Sequence, residues 1–259
     1  MKKIVIILAV LMLSLTGCTT KKNTLKVGME LAYPPFETTD IQGKPYGVSV
    51  DIAKAFADYL GMDIEIQNTN WTGVIPALET GKVDMVISSM TITEKRKESV
   101  DFSHAYAKAY LAFLVNIDSN VTQASQLNQS DKTIAVKTGS TGDTYVTANY
   151  PNATILRLDN ESAAVAEVIN GHADAFIYDQ LTIYRNVKAN EATIKAVYIP
   201  DQVAEEWGAA FKKDSALTAK FNAFLVKFTN EGGFADLIEK HLKEEKKTFD
   251  EMGFTFFFE

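Results

Sequence analysis

The sequence contains few residues of the kinds that build covalent cross-links and metal centres. Among its 259 residues there is one cysteine, Cys18, and there are three histidines. A single cysteine excludes an internal disulfide and a site built from several thiolates. No metal-ligand spacing relates the histidines, which are His104, His172 and His241. We therefore expect a protein without a metal site or a bound cofactor.

The N-terminus has an apolar run, Ile4–Leu13, that is too short to cross a membrane. Two lysines precede it and small residues follow it, which is typical of a secretory signal peptide over residues 1–17. LTGC at Leu15–Cys18 resembles a bacterial lipobox, in which the cysteine is lipidated and becomes the mature N-terminus. More than one acyl chain, such as palmitate, would anchor the protein stably. We expect residues 18–24 to be a lipidated tether at the cell membrane, facing outside or the periplasm.

The sequence has no excess of positive charge. Its formal net charge of −7 becomes −9 once residues 1–17, with two lysines and no acid, are removed. Such a chain is not expected to bind nucleic acid or an anionic surface. The mature length allows one large or two medium domains, and 46% apolar residues predict a packed core.

Strand and helix patterns alternate along the chain. Apolar runs predict strands at Leu25–Met29, Asp63–Asn68, Val83–Ser88, Thr133–Val136, Thr154–Leu158 and Ala173–Tyr178. Helices that end at or before a glycine are predicted at Asp51–Gly61, Gly73–Gly81 and Ser162–Asn170. Repeated βα patterning predicts an α/β fold with mostly parallel sheets.

Two extended runs separate the βα units into blocks. Tyr106–Val115 lies between two such blocks, and Glu205–Lys213 follows the second. We therefore predict two lobes joined by two crossings, with the helices within Ser215–Leu242 packed back on the first lobe. The predicted lobes are residues 25–108 with 207–259 for lobe 1, and 109–206 for lobe 2.

Polar residues follow three of the predicted strands. They are SSMTIT (Ser88–Thr93), KTGST (Lys137–Thr141) and Asp179. Ligands of open α/β sheets bind beyond the carboxyl ends of the strands. We therefore expect these residues to meet in a cleft between the lobes.

Arg96 is placed unusually for a cation. Thr93 is the predicted N-cap of a short helix, so Arg96 falls in the first turn, where a cation is disfavoured by roughly 0.3–1 kcal/mol. An anion would instead be met there by the guanidinium and by free N–H groups. The alternative is that EKRKE is a solvated charged face and Arg96 points into water.

Five ordered motifs resemble the extracellular solute-binding proteins that deliver polar amino acids to ABC importers. The motifs are AYPPFE (Ala32–Glu37), Gly47–Ala53, the run Trp71–Arg96 with the VDFS after it, VKTGSTG and ADAFIYD. The resemblance covers essentially the whole mature chain, Leu25 to about Leu242. The resemblance implies the periplasmic-binding-protein type II fold with two hinge crossings. Many members have G-F-D where this chain has Gly47, Val48 and Ser49.

The resemblance also implies the ligand and the roles of several residues. Arg96 would clamp the α-carboxylate of a free amino acid, and Asp179 would accept the α-ammonium. Asp179 as the N-cap of the next helix is compatible with that role. The other expected ligand-binding residues are Ser89, Met90 and Thr91 on one lobe, and Ser140, Thr141 and Gly142 on the other.

The side-chain pocket is expected to involve Glu30, Tyr33 and Trp71. By resemblance, Tyr33 and Trp71 stack on the ligand, although core packing is the alternative for both. A carboxylate at Glu30 would attract a cationic side chain and repel an acidic one. We therefore expect a basic or polar amino acid, with Glu30 turned outward as the alternative and acidic or small neutral ligands as the rival class.

Other functions are weighed against binding. An enzyme on the same fold, similar to a cyclohexadienyl dehydratase, is the main rival, but the histidines lie outside the predicted cleft motifs and no catalytic residue is predicted. A surface adhesin is supported only by the lipid anchor. KTGSTG does not match the phosphate-loop pattern. We expect a monomer whose partners are a free amino acid and an ABC permease.

Overall fold

The computed structural model describes residues 23–258. The predicted signal peptide, the lipidation site Cys18 and most of the predicted tether lie outside the described residues. Among the helices that are described, none is both long and apolar enough to span a bilayer.

Residues 23–109 form short strands and three helices. The strands are β1 (Thr24–Met29), β2 (Thr38–Thr39), β3 (Pro45–Tyr46), β4 (Asp63–Asn68), β5 (Met85–Val86), β6 (Val100–Phe102) and β7 (Ala107–Ala109). The helices are α1 (Val48–Leu60), α2 (Val74–Glu79) and α3 (Glu94–Lys97).

The rest of the chain forms a second βα block and a helical C-terminal part. The strands are β8 (Leu111–Asn116), β9 (Thr133–Lys137), β10 (Thr154–Leu158), β11 (Ala175–Asp179), β12 (Ile194–Tyr198), β13 (Glu205–Trp207) and β14 (Ala210–Lys212). The helices are α4 (Thr141–Asn149), α5 (Glu161–Ile169), α6 (Gln180–Ala189), α7 (Ala216–Asn230), α8 (Gly233–His241) and α9 (Lys243–Met252). Short 3₁₀ turns lie at Trp71–Gly73, Ile117–Ser119 and Ala124–Leu127.

The strands form two separate five-stranded sheets, in the orders β4-β1-β5-β14-β6 and β10-β9-β11-β8-β12. In the first sheet only β14 runs against the other strands, because it pairs antiparallel with both β5 and β6. In the second sheet only β8 does so. The predicted α/β fold with mostly parallel sheets is confirmed. We call the first sheet with its packed helices lobe 1, and the second sheet with α4–α6 lobe 2.

The two predicted extended runs are each broken into two strands. Tyr106–Val115 divides into β7 and β8 around Tyr110, and the second run divides into β13 and β14. In each run one strand belongs to a five-stranded sheet, while β7 and β13 pair with each other between the sheets. Gly208 lies at the break in the second run, where an added Cβ would lie 2.9 Å from Ile92 Cδ1. A continuous strand was therefore the wrong prediction for both runs, because each changes its pairing partner midway.

Local predictions from helix signals agree with the structure. Helix α1 buries Ile52 and Phe56 and ends at Gly61, which has φ 65°. The N-cap at Thr93 is confirmed, because its hydroxyl accepts the N–H of Arg96 at 3.2 Å. Arg96 is therefore in the first turn of α3. The strand predicted at Val83–Ser88 is shorter in the structure, where only β5 forms, since the chain turns at Ser89 with φ 47°.

The C-terminal part packs on lobe 1. In α7, Phe221 lies against Phe56 of α1 with ring centroids 4.8 Å apart. Beyond α9, Phe256 and Phe257 are buried, and the carbonyl of Phe257 accepts the N–H of Lys108 in β7 at 2.7 Å. The aromatic end of the chain therefore lies against β7.

Candidate functional site

A cavity lies between the lobes at the carboxyl ends of the strands. Nine of the eleven predicted ligand-binding residues line it: Tyr33, Trp71, Ser89, Thr91, Arg96, Ser140, Thr141, Gly142 and Asp179. Residues that were not predicted also line it: Leu111, Tyr178, Glu205 and Trp207. Of the other two, Met90 has its side chain in a hydrophobic cluster with Val74 and Val100. Glu30 lies buried beside the cavity.

The Arg96 guanidinium turns into the cleft and not into solvent. Nη1 donates to the carbonyl of Thr91 at 2.7 Å, and Nη2 donates across the cleft to the carbonyl of Gly139 at 3.3 Å. Its Cζ lies 5.1 Å from the centroid of the Trp71 ring. Burial lowers the pKa of Arg96. Since a guanidinium has five N–H donors, it retains donors for an anion in this position.

The start of α4 provides the facing polar groups from lobe 2. The Ser140 hydroxyl caps the helix by accepting the N–H of Asp143 at 3.1 Å. A Cβ at Gly142 would lie 3.0 Å from Ile177 Cγ2 and 3.1 Å from Ile177 O, so glycine lets α4 pack closely on β11 without displacing Ile177. The first N–H groups of α4 are thereby held beside the cavity, where an anion is favoured.

Asp179 ends β11 and caps α6. Its Oδ1 accepts the N–H groups of Leu181 at 3.0 Å and Thr182 at 3.1 Å, which confirms the predicted N-cap. Its Oδ2 accepts a short hydrogen bond from the hydroxyl of Tyr33 on lobe 1. Burial raises the pKa of Asp179, and burial together with the Asp179 charge raises that of Tyr33. Tyr33 is thus a buried residue that also touches the proposed ammonium acceptor.

Glu30 points inward and is paired with Lys137, a residue that the sequence analysis placed in the cleft without predicting this ion pair. Lys137 Nζ forms a buried ion pair with the Glu30 carboxylate. The same Nζ lies 5.1 Å from the centroid of the Trp71 ring and 5.9 Å from that of Tyr178. The alternative in which Glu30 turns outward is therefore wrong, because its carboxylate is buried and already has an ionic partner. The only available signal was the position of Lys137 at the carboxyl end of β9, inside VKTGSTG.

Glu205 is a second charged group that was not predicted. Its Oε2 accepts the hydroxyls of Thr91 and Thr141, each at 3.0 Å. Burial raises the pKa of Glu205. The alternation of the hinge strand β13 could have indicated it, because side chains two apart share a face. Glu205 and Trp207 both line the cavity, whereas Glu206 between them is exposed.

A buried carboxyl group supports the Ser88–Ser89 turn from beneath. Glu37 is 1% exposed and accepts the hydroxyls of Ser49 at 2.6 Å, Ser88 at 3.2 Å and Ser89 at 3.0 Å. Burial raises its pKa from 4.5 to about 8, although the hydroxyls oppose the shift. The departure from G-F-D at Ser49 is thus explained, since the serine hydroxyl serves this acid.

The Glu37 shift predicts a pH-dependent stability. In the folded protein the Glu37 carboxyl group keeps its proton up to about pH 8, whereas in the unfolded chain it releases the proton near pH 4.5. The stabilisation is therefore complete below pH 4.5 and is lost as the pH rises towards 8. The side chain of Glu37→Gln stays neutral, so the free energy of unfolding of this variant should fall by a few kcal/mol less than that of wild type over the same pH range. Urea unfolding between pH 5 and 8.5 measures it, with the exposed Glu191→Gln as control. Equal pH profiles for wild type and Glu37→Gln would contradict the assignment.

Two α/β lobes joined by two crossings, with a polar cavity between them, define a periplasmic-binding-protein type II fold. The chain belongs to the bacterial extracellular solute-binding proteins, family 3, whose sequence model matches residues 25–244.

Relatives cover most of the chain. A probable histidine-binding protein of Neisseria gonorrhoeae is 32% identical over 224 residues, which are 85% of this chain and 83% of that protein. The arginine-binding extracellular protein ArtP of Bacillus subtilis is 33% identical over 235 residues, 89% of this chain and 91% of its own. The crystal structure of an ancestral amino-acid-binding protein, AncCDT-1, described as a precursor of cyclohexadienyl dehydratase, has a TM-score of 0.78 and 36% identity, covering 85% of this chain and 95% of that one.

Proposed function

We propose that the protein captures a free amino acid with a basic or polar side chain between its lobes and delivers it to an ABC permease. The observation that carries this proposal is the cavity itself, which has the Arg96 guanidinium from lobe 1 and the Asp179 carboxylate from lobe 2 on its walls. A zwitterion placed between them leaves each buried charge paired. The relatives named as histidine- and arginine-binding proteins support the same function.

The proposed main-chain site divides between the lobes. Arg96 and Thr91 bind the α-carboxylate from lobe 1, with Ser89 beside them. Ser140, Thr141 and Gly142 bind it from the head of α4, and Asp179 accepts the α-ammonium. Movement of lobe 1 (residues 25–108 and 207–259) against lobe 2 (residues 109–206) about the β7–β13 pair closes the cleft.

The charges of the cleft favour a cationic or neutral polar side chain over an acidic one. Three carboxylates, Glu30, Asp179 and Glu205, stand against two cations, Arg96 and Lys137. An acidic ligand would add a second carboxylate of its own to this set and leave a buried charge unpaired. Trp71 already contacts two cations, Arg96 and Lys137, and Tyr178 contacts Lys137, so these rings form an environment that stabilises positive charge.

Catalysis is the second candidate because one similar structure is the ancestral precursor of a dehydratase. Binding is favoured because no histidine is among the described residues that line the cavity and because the curated relatives are named for binding. Two of the three histidines are engaged elsewhere: His241 contacts Asp51 at 2.8 Å, and His172 contacts Glu167 at 3.2 Å.

A screen of the twenty amino acids by thermal shift tests the function. A ligand at 100 times its dissociation constant should stabilise the protein by roughly 2.7 kcal/mol. The same ligand should reduce the radius of gyration in small-angle scattering, because the lobes close around it. Stabilisation by none of the twenty, together with dehydration of a cyclohexadienyl acid, would establish the enzymatic alternative instead.

We further propose that residues 1–17 are removed as a signal peptide and that Cys18 is lipidated. The exported protein is then a monomer anchored by its acyl chains at the cell membrane, facing outside or the periplasm. Membership of an extracellular solute-binding family supports export. Mass spectrometry of the mature N-terminus tests the anchor, and an unmodified Cys18 would refute it.

A further inference from the structure

The Glu205 carboxylate holds hydroxyl groups from both lobes at once. Thr91 belongs to lobe 1 and Thr141 is the first residue of α4 in lobe 2, and both hydroxyls donate to the same oxygen, Oε2, at 3.0 Å. Two hydroxyl groups that donate to the same carboxylate oxygen form a small anion-binding site. The chain itself therefore supplies a carboxylate at the point where the lobes meet.

The backbone of Glu205 is held independently of this contact. In β13, Glu205 pairs with Ala109 of β7, and Trp207 pairs with Ala107. The side chain can therefore leave the threonines by rotating about its own bonds while the crossing stays paired. Its neighbour Glu206 carries the same charge on the exposed side of the strand.

The position of Glu205 conflicts with the proposed α-carboxylate site. That site uses Arg96 together with the Thr91 and Thr141 hydroxyls. The Glu205 carboxylate and the ligand's α-carboxylate would therefore accept hydrogen bonds from the same hydroxyl donors. Two ionised carboxylates sharing a partly buried site repel each other, and one of them leaves or takes up a proton. This step rests on the proposed amino-acid function.

We propose that Glu205 is an internal competitor for the ligand's α-carboxylate, which releases the Thr91 and Thr141 hydroxyls when an amino acid binds. Glu205 thereby limits the affinity for every amino acid, whatever its side chain. A carboxylate at the side-chain end, such as Glu30, would instead affect cationic and neutral ligands differently.

Binding is also expected to depend on protons. The charged groups that act on Glu205 are Arg96 from α3, which favours its ionised form, and Asp179 from β11, which disfavours it. A protonated Glu205 no longer repels the incoming carboxylate. Amino-acid affinity should therefore rise as the pH falls below the Glu205 pKa, with a proton taken up from solution on binding at higher pH.

Calorimetric titration with L-arginine and with L-glutamine tests the competition. Glu205→Gln, which keeps the shape and removes the charge, should bind both ligands about tenfold or more tightly than wild type at pH 8, the factor of one pKa unit. The difference in affinity should shrink as the pH is lowered, because Glu205 then takes up a proton. The matched control is Glu206→Gln, which removes the same charge from the exposed face and should behave as wild type.

Proton uptake is read in the same titrations by repeating them in buffers of different ionisation enthalpy. Wild type should take up protons at pH 8, and Glu205→Gln should take up fewer. Because Glu37 and Glu161, with pKa values raised by burial to about 8 and about 7, titrate in both proteins, the difference between them isolates Glu205.

Three results would overturn the inference. Unchanged affinity and proton uptake in Glu205→Gln would show that Glu205 does not compete. Weaker binding of L-arginine with unchanged L-glutamine would make Glu205 a partner of the cationic side chain. If wild type binds none of the twenty amino acids, the proposed function fails as well, and the two failures are thus distinguished.

Discussion

Arg96→Ala is expected to lower the affinity for a free amino acid at least about a thousandfold, which corresponds to about 4 kcal/mol. The substitution removes charge-assisted hydrogen bonds and leaves the buried ligand carboxylate without its cationic partner, a loss of about 3–5 kcal/mol. The fold should survive, because the cap of α3 depends on the Thr93 hydroxyl and the Arg96 N–H. Calorimetry measures the binding, and circular dichroism checks the fold.

Two further variants sharpen this test. Arg96→Lys should not restore binding, since an ammonium cannot reproduce the planar fork that also reaches Gly139 across the cleft. Lys95→Ala removes an exposed cation from the same turn and should bind as wild type does. Retained affinity in Arg96→Ala would show that the α-carboxylate is bound elsewhere.

Glu30→Gln and Lys137→Met are expected to shift ligand selectivity in opposite directions. Glu30→Gln leaves the Lys137 ammonium alone between Trp71 and Tyr178, so L-arginine should lose at least about tenfold in affinity relative to L-glutamate. Lys137→Met leaves Glu30 free to accept a cationic side chain, so the same ratio should rise by at least about tenfold. The two variants should thus differ by about a hundredfold in a competition assay.

The double variant Glu30→Gln/Lys137→Met is the control for damage to the fold. Each single variant leaves a buried charge unpaired, whereas the double variant removes both, so it should recover most of the stability that the singles lose. If Glu30→Gln leaves arginine binding untouched, Glu30 only holds Lys137 in place and does not determine specificity.

Features that depend on neighbouring residues could be predicted from the sequence. The caps at Thr93 and Asp179 and the glycine end of α1 are determined within one helical turn, so short motifs were sufficient. Nine cleft residues could also be predicted, because the strand-end rule and the ordered motifs place them at the same edge of the sheets.

The ionic partners in the cleft could not be predicted in this way. Glu30 and Lys137 are 107 residues apart, and Thr91 and Glu205 are 114 apart. Such pairs depend on how one lobe sits on the other, which no local pattern encodes. The breaks in the extended runs were missed for the same reason, since an apolar strand has the same pattern whichever sheet it joins.

The position of β14 has a consequence for the order of folding. This strand lies between β5 and β6 in the first sheet, yet it follows all five strands of the second sheet in the chain. The second sheet needs only residues 111–198, whereas the first has a gap until residues 210–212 are available. Closing that gap joins segments more than a hundred residues apart, at a higher loop-closure entropy. As the chain emerges N-terminus first, lobe 1, whose first strand emerges first, is therefore completed after lobe 2.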